Sequence, residues 1–238
     1  MDVIPIFIGY DTQEKTAFKV CEHTLLKNSS QPFHIQPLLE RELRHIGLYK
    51  RRWEFEGEQT IDSLDGKPFS TEFSFTRFLV PSLTQFKGWA LFCDCDFLWR
   101  GDVAKLWALR KRKYAIMCVK HDYRPTEKTK MHGKKQTLYR RKNWSSMVLW
   151  NCSHPAHGKY LTPDAVNWKW GQWLHAFSWL DDKDIGQIPE EWNWLEGWSD
   201  KEIDPKAVHF TRGGPWFDEY KDVAYADEWA AAAKEVYK

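Results

Sequence analysis

The sequence of 238 residues predicts an α/β fold, a mostly parallel sheet flanked by helices. Short apolar runs bounded by turn signals, at 3–8, 32–38 and 89–93, alternate with stretches whose apolar residues repeat at helical spacing, the order that builds a parallel sheet. Two of those runs lead directly into loops carrying acids or glycine, which is where open α/β sheets hold their ligands.

Val3 to Ile8 reads as a buried parallel strand that ends in Gly9-Tyr10-Asp11, a candidate binding loop. A helix is predicted to begin there, capped by Asp11 with Glu14 three residues on, with Ala17, Phe18, Cys21, Leu25 and the adjoining Leu26 repeating at helical spacing. Pro32 to Leu38 reads as the next strand and Leu39 to Leu48 as a short amphipathic helix. The polar stretch Lys50 to Pro68 reads as an insertion or loop, and Thr71 to Leu83 as a helix with Pro81 near its end. Gly88 precedes a buried strand, Trp89 to Cys93, which runs straight into Asp94-Cys95-Asp96. Tyr114 to Val119 and Ser145 to Trp150 are further strands, separated by a long basic segment. Thr162-Pro163-Asp164 supplies an N-cap and a first-turn proline for a helix that the region Trp179 to Asp184 would end. Ala207 to Phe210 reads as a last short strand and Glu228 to Tyr237 as a closing helix. The expectation is one domain over 1–238, with a flexible basic lid at 120–142.

Composition narrows the function classes. A net charge of +2 argues against a general nucleic-acid binder. No apolar run approaches the roughly 20 residues needed to span a bilayer, so membrane contact is at most peripheral. The opening MDVIPIFIGYDTQE lacks the basic region and cleavage site of a signal peptide. The five cysteines fall mostly in apolar runs, as expected of a reducing, cytoplasmic setting, and Cys93-Cys95 has no second pair with which to build a zinc site. Fifteen tryptophans suit core filling and equally suit stacking on sugar faces.

WALFCDCDFLW carries the chemistry. Burying two carboxylates in an apolar run costs several kcal/mol unless they are neutralised, and a divalent cation does this economically. On extended backbone, residues two apart point the same way, so Asp94 and Asp96 share a face. Hard oxygen ligands suit Mn²⁺ or Mg²⁺, which keep positions open for diphosphate oxygens. The competing reading is an acidic turn that caps the next helix, with Arg100 as its partner.

The order of strand, glycine-aromatic-acid loop, helix and late strand ending in DxD resembles the GT-A, Rossmann-like fold of sugar-nucleotide-dependent glycosyltransferases. It is closest to family 8, the retaining group that includes glycogenin and bacterial lipopolysaccharide galactosyltransferases. IFIGYD, FSFTRFLVPSL, LFCDCDFLWRGDVAKLW and VHFTRGGPW carry the resemblance. It implies metal ligands Asp94, Asp96 and His209, and a cofactor of Mn²⁺ (or Mg²⁺). It implies donor contacts at Gly9, Tyr10, Asp11, Arg77 and Cys95. KNWSSMVLWNC adds Asn143 and Ser145 beside the sugar, and WLDDKDIGQIPEEWN, an acid-rich segment followed by a Trp-Asn pair, adds Asp181 and Asp182 to Arg77 as catalytic residues, one or other acid orienting the sugar or stabilising positive charge near its anomeric carbon. The family's lysine before Pro-Trp is replaced by Gly214, which leaves Arg212 or the backbone amides of Gly213 and Gly214 to meet the diphosphate. The implied reaction moves a sugar from a nucleotide donor, a uridine diphosphate sugar, to a glycan, glycolipid or other hydroxyl acceptor with retention of configuration. A nucleotidyltransferase of related fold and a non-catalytic carbohydrate-binding protein are the rival readings.

Overall fold

The computed structural model describes residues 3–123, 129–130, 134–135 and 140–237. Most of the expected lid, including Tyr139, lies outside the described residues. From the N-terminus the elements are β1 (Ile4–Gly9), α1 (Lys15–Asn28), β2 (Phe33–Leu38) and α2 (Glu40–His45), then β3 (Trp53–Glu56), β4 (Gln59–Asp62) and β5 (Pro68–Phe69). A 3₁₀ turn, Thr76–Leu79, runs into α3 (Val80–Leu83), followed by β6 (Trp89–Cys93), β7 (Phe97–Trp99), α4 (Val103–Ala108) and β8 (Ile116–Cys118). The short pair β9 (Thr129–Lys130) and β10 (Lys134–Lys135) precedes β11 (Met147–Asn151), α5 (Pro155–Tyr160), α6 (Pro163–Trp168) and α7 (Gly171–His175). The chain closes with β12 (Ile185–Gln187), β13 (Trp194–Leu195), β14 (Ala207–His209) and α8 (Ala226–Val236).

The central sheet has six strands in the order β12-β8-β11-β6-β1-β2. Only β11 runs antiparallel to its neighbours, so the expected mostly parallel sheet is what forms. Strand β6 lies at its heart, with Ala90, Leu91, Phe92 and Cys93 fully buried, which is why this run is continuously apolar rather than alternating. Its register beside β1 pairs Ile8 with Cys93, which brings Gly9 and Asp94 out of the sheet side by side at the strands' carboxyl ends. A second sheet, β13-β14-β7, packs with α8 around Leu98, Trp194, Val208, Phe210 and Trp229. No described helix is long and apolar enough to cross a membrane.

Several local expectations are corrected. Lys50 to Pro68 is not a loop: β3, β4 and β5 form an antiparallel sheet, turning at Gly57, whose φ of 60° suits glycine. Arg51 anchors it, since its guanidinium grips Asp62 with Nε at 2.9 Å and Nη2 at 2.5 Å, both side chains being 1% exposed. Nη1 of Arg51 also donates to the carbonyls of Val166 and Lys169, closing the end of α6 there, so that helix stops well short of Trp179. Thr71 to Leu83 is helical only from Thr76, and Pro81 lies in the first turn of α3, where its missing N–H is not needed. Asp11 does not cap α1, which begins at Lys15; its carboxylate instead accepts from the amides of Gln13 and Glu72. Leu26 faces outward at 60% exposure.

Candidate functional site

As the chain leaves β6, Asp94 donates its amide to Ser146 O on β11's approach, while Cys95 turns inward with its Sγ 3.6 Å from Glu14 Oε2. The alternation leaves Asp94 and Asp96 on the opposite side, as extended geometry requires. Strand β14 then pairs His209 with Phe97, and Phe210 donates its amide to Asp96 O. One ligand atom from each of Asp94, Asp96 and His209 lies within 4.8 Å of the others.

A buried network sets the state of the imidazole. Ser146 Oγ donates to Asn143 O at 2.7 Å, so it accepts from Asn193 Nδ2 at 2.9 Å. That leaves Asn193 Oδ1 to accept from His209 Nδ1 at 3.0 Å, the second partner that metal-binding histidines require. The ring also stacks on Phe97, with centroids 4.6 Å apart and planes at 13°. His209 Nε2 is therefore the ring nitrogen that faces Asp96 Oδ1, 3.4 Å away.

Arg77 is the countercharge to Asp94. Its Nη1 lies 2.7 Å from Asp94 Oδ1 and donates to Ser145 O, and its guanidinium lies over the rings of Phe73 and Phe92. Burial nevertheless pushes the Asp94 carboxyl up to about 6, Arg77 opposing and Asp96 adding to the shift. Arg77 lowers that shift without cancelling it. Two carboxylates and one imidazole in such a setting fit a divalent cation. The competing partner Arg100 is engaged elsewhere, with Asp204 and Glu228, and α4 is capped by Asp102.

The triad opens into a cleft of about 1020 Å³, open solvent at its mouth included, which Arg77, Asn143 and Ser145 also line. Asn143 takes a left-handed conformation, φ 64°, at the turn into β11. The remaining expected residues lie apart from this cleft. Gly9 packs so tightly that a Cβ would meet the Phe73 ring at 2.3 Å, and Tyr10 stands edge-on to Phe18. Asp11 lines a neighbouring cavity. Arg212 turns to Glu196 at 3.4 Å, and the Gly213 amide donates to Phe210 O, which removes it as a diphosphate donor. Asp181 and Asp182 are exposed: Asp182 pairs with Arg141 and Arg140, and the hydrogen bond from Arg141, then its charge, holds it below the usual carboxylate range, while Asp181 lies 3.5 Å from Lys183 Nζ. Neither lines the cleft. Sequence reasoning passed over Asn193, visible only as half of a Trp-Asn pair, and His175, which carries no motif.

The architecture is that of the GT-A glycosyltransferases, a mixed α/β sheet with a DxD pair at the carboxyl end of its central strand. The chain superposes on the galactosyltransferase LgtC, solved in complex with donor and acceptor sugar analogs, at TM-score 0.61 and 12% identity over 99% of this chain and 97% of that one. It matches the bifunctional glycosyltransferase WbbM at TM-score 0.64 and 12% identity, and the glycosyltransferase GlyE of Streptococcus pneumoniae TIGR4 at 0.62 and 12%. In those two cases 99% and 98% of this chain span only 51% and 60% of the longer proteins. At such identities the likeness is one of fold. No protein-family model matches the chain. In sequence it is 50% identical over 238 residues to Protein CDI of Arabidopsis thaliana, covering 98% of this chain and 87% of that protein, and it belongs to that protein's family.

Proposed function

We propose that the protein is a metal-dependent glycosyltransferase, hexosyltransferase-like, that moves a sugar from a uridine diphosphate sugar to a hydroxyl acceptor with retention of configuration. The observation that carries this reading is the convergence of Asp94, Asp96 and His209 at the floor of a cleft, on the sheet edge where α/β folds bind ligands. These three residues would hold Mn²⁺ or Mg²⁺, which when bound supplies charge to offset that building on the departing diphosphate. Arg77 orients Asp94 and adds a fixed positive charge beside it. The Gly9-Tyr10-Asp11 loop faces the nucleoside, and Asn143 and Ser145 face the sugar. Asp181 and Asp182 do not line the cleft, which accords with transfer on the leaving-group face without a dedicated carboxylate base. Five free, buried cysteines accord with a reducing, cytoplasmic setting.

Calorimetry with uridine diphosphate and Mn²⁺ tests this. Wild type should bind, chelation by EDTA should remove the binding, and Asp94→Asn and Asp96→Asn should abolish it while keeping the fold. Unchanged affinity in both variants rejects the site. Incubation with a uridine diphosphate sugar should release the nucleoside diphosphate, whereas pyrophosphate release from a nucleoside triphosphate would mark a nucleotidyltransferase instead.

A further inference from the structure

Four of the fifteen tryptophans are exposed, and neighbouring side chains account for two of them. Trp53 stands edge-on to Phe55 and donates its indole N–H to Glu40, and Trp198 stands edge-on to Tyr123. Trp168 and Trp170, each 65% exposed, have no ring, cation–π or side-chain hydrogen-bond partner among the described residues. Trp168 ends α6, Lys169 is extended, and Trp170 directly precedes α7. Trp170 is bonded to Gly171, and Gly171 and Gln172 line the cleft that Asp94, Asp96 and His209 also line. The exposed pair therefore begins one residue from the wall of the proposed donor site.

The backbone beneath the two indoles is fixed from both sides. The buried Arg51 donates Nη1 to the carbonyls of Val166 and Lys169, and the buried Asn167 accepts from the Lys50 amide while donating to the carbonyls of Leu48 and Pro163. Beyond the pair, the Gly171 amide donates to Asp65 Oδ2, and a Cβ on Gly171 would meet the Phe75 ring at 2.9 Å. Rings carried on such a backbone give up little further freedom when a ligand meets them, so more of the contact survives as affinity. Their setting selects the ligand. Exposed Asp164 lies four residues before Trp168 on α6, Lys169 separates the two indoles, and exposed Gln172 follows them, so polar groups interrupt the apolar surface. A bilayer or a hydrophobic protein interface calls for a continuous apolar patch. A sugar ring has an apolar C–H face rimmed with hydroxyls, which suits flat indoles set among charged and amide side chains.

We infer that Trp168 and Trp170 form a stacking platform for the acceptor, and that the acceptor is a saccharide chain rather than a lipid or a protein side chain. The inference rests on the glycosyltransferase reading above and extends it. The residues at the floor of the cleft hold the donor, and the two indoles beside it hold the chain that receives the sugar.

The test is calorimetry with maltohexaose, cellohexaose, xylohexaose, mannohexaose and laminarihexaose on wild type, Trp168→Ala, Trp170→Ala and Trp170→Phe. Wild type should bind at least one of these sugars, and each alanine variant should weaken that binding by about tenfold, since one stacked indole face supplies roughly that much apolar contact. Trp170→Phe keeps a flat apolar ring and should retain most of the affinity. All three variants should bind uridine diphosphate with Mn²⁺ within about twofold of wild type. A wild type that binds none of the five sugars overturns the inference, and so do alanine variants that bind them as wild type does. Co-sedimentation of wild type with phosphatidylcholine vesicles, lost in both alanine variants, would assign the pair to a lipid surface and overturn it equally. A wild type that binds a hexasaccharide through both tryptophans but does not bind uridine diphosphate with Mn²⁺ upholds the platform and overturns the donor reading alone.

Discussion

Asn193→Leu isolates the hydrogen-bond network behind His209, one of the proposed metal ligands. Asn193 is fully buried, close to leucine in volume, and makes two side-chain bonds, to His209 Nδ1 at 3.0 Å and Ser146 Oγ at 2.9 Å. The substitution removes the acceptor of the Nδ1 hydrogen. One buried donor left unsatisfied costs about 1–3 kcal/mol, and Ser146 loses less because it keeps its bond to Asn143 O, so stability should fall by roughly 2–4 kcal/mol. Without the asparagine oxygen, His209 is free to place its proton on Nε2, the nitrogen that would meet the cation. Loss of such a partner weakens metal binding by about 10- to 100-fold, or roughly 1.4–2.7 kcal/mol. Urea unfolding measures the first effect and Mn²⁺ titration of the folded variant the second. Wild-type Mn²⁺ affinity in folded Asn193→Leu would refute the argument and reduce Asn193 to a packing residue.

Two further predictions concern the frame around the site. Arg51→Met leaves Asp62 buried without its partner and should destabilise the protein by about 3–5 kcal/mol, whereas Arg51→Met with Asp62→Leu should recover much of that loss in urea titrations; no recovery in the double variant would mean the pair is not the anchor. His157 is buried and neutral, with Nε2 3.0 Å from Ala115 O and the Trp179 indole donating to Nδ1, and burial pulls it down to about 4. Its folded value lies below the ordinary 6.5, so its contribution is complete above pH 6.5 and is lost as pH falls toward 4, for a total of roughly 3 kcal/mol. His157→Gln should flatten that pH slope by up to one proton, and an unchanged slope would exclude His157 as its source.

What the sequence discloses follows from how local each signal is. Trp89 to Cys93 is legible because a strand covered on both faces must be apolar throughout, and the acids that break the run then have to be explained. The β3–β4 hairpin is hidden because its outward residues Glu54, Glu56 and Glu58 give it the polarity of a loop, and its stability comes from Arg51 reaching Asp62 and the end of α6. The Ser145–His175 and Asn193–His209 bonds join residues far apart in the chain, and no spacing rule marks such pairs. Asp181 and Asp182 show the opposite limit. An acid-rich string reads like a site, and the fold pairs Asp182 with the buried Arg141 and sets Asp181 beside Lys183, outside the lining of the cleft.

The pairing of β7 with β14 has a consequence for the order in which the protein is made. Asp94 and Asp96 leave the ribosome with the central strand, and Arg77, already synthesised, can meet Asp94 at once. His209 emerges only after most of the sheet has been translated, and it reaches Asp96 when the last short strand docks beside Phe97. Until then the nascent chain carries an acid pair with one guanidinium to steady it, and the asparagine, just before β13, and the imidazole, at the end of β14, arrive last. Completion of the Asp94, Asp96 and His209 cluster is thereby a late event, and a chain halted before Ala207 could assemble its large sheet and still lack the cluster's third member.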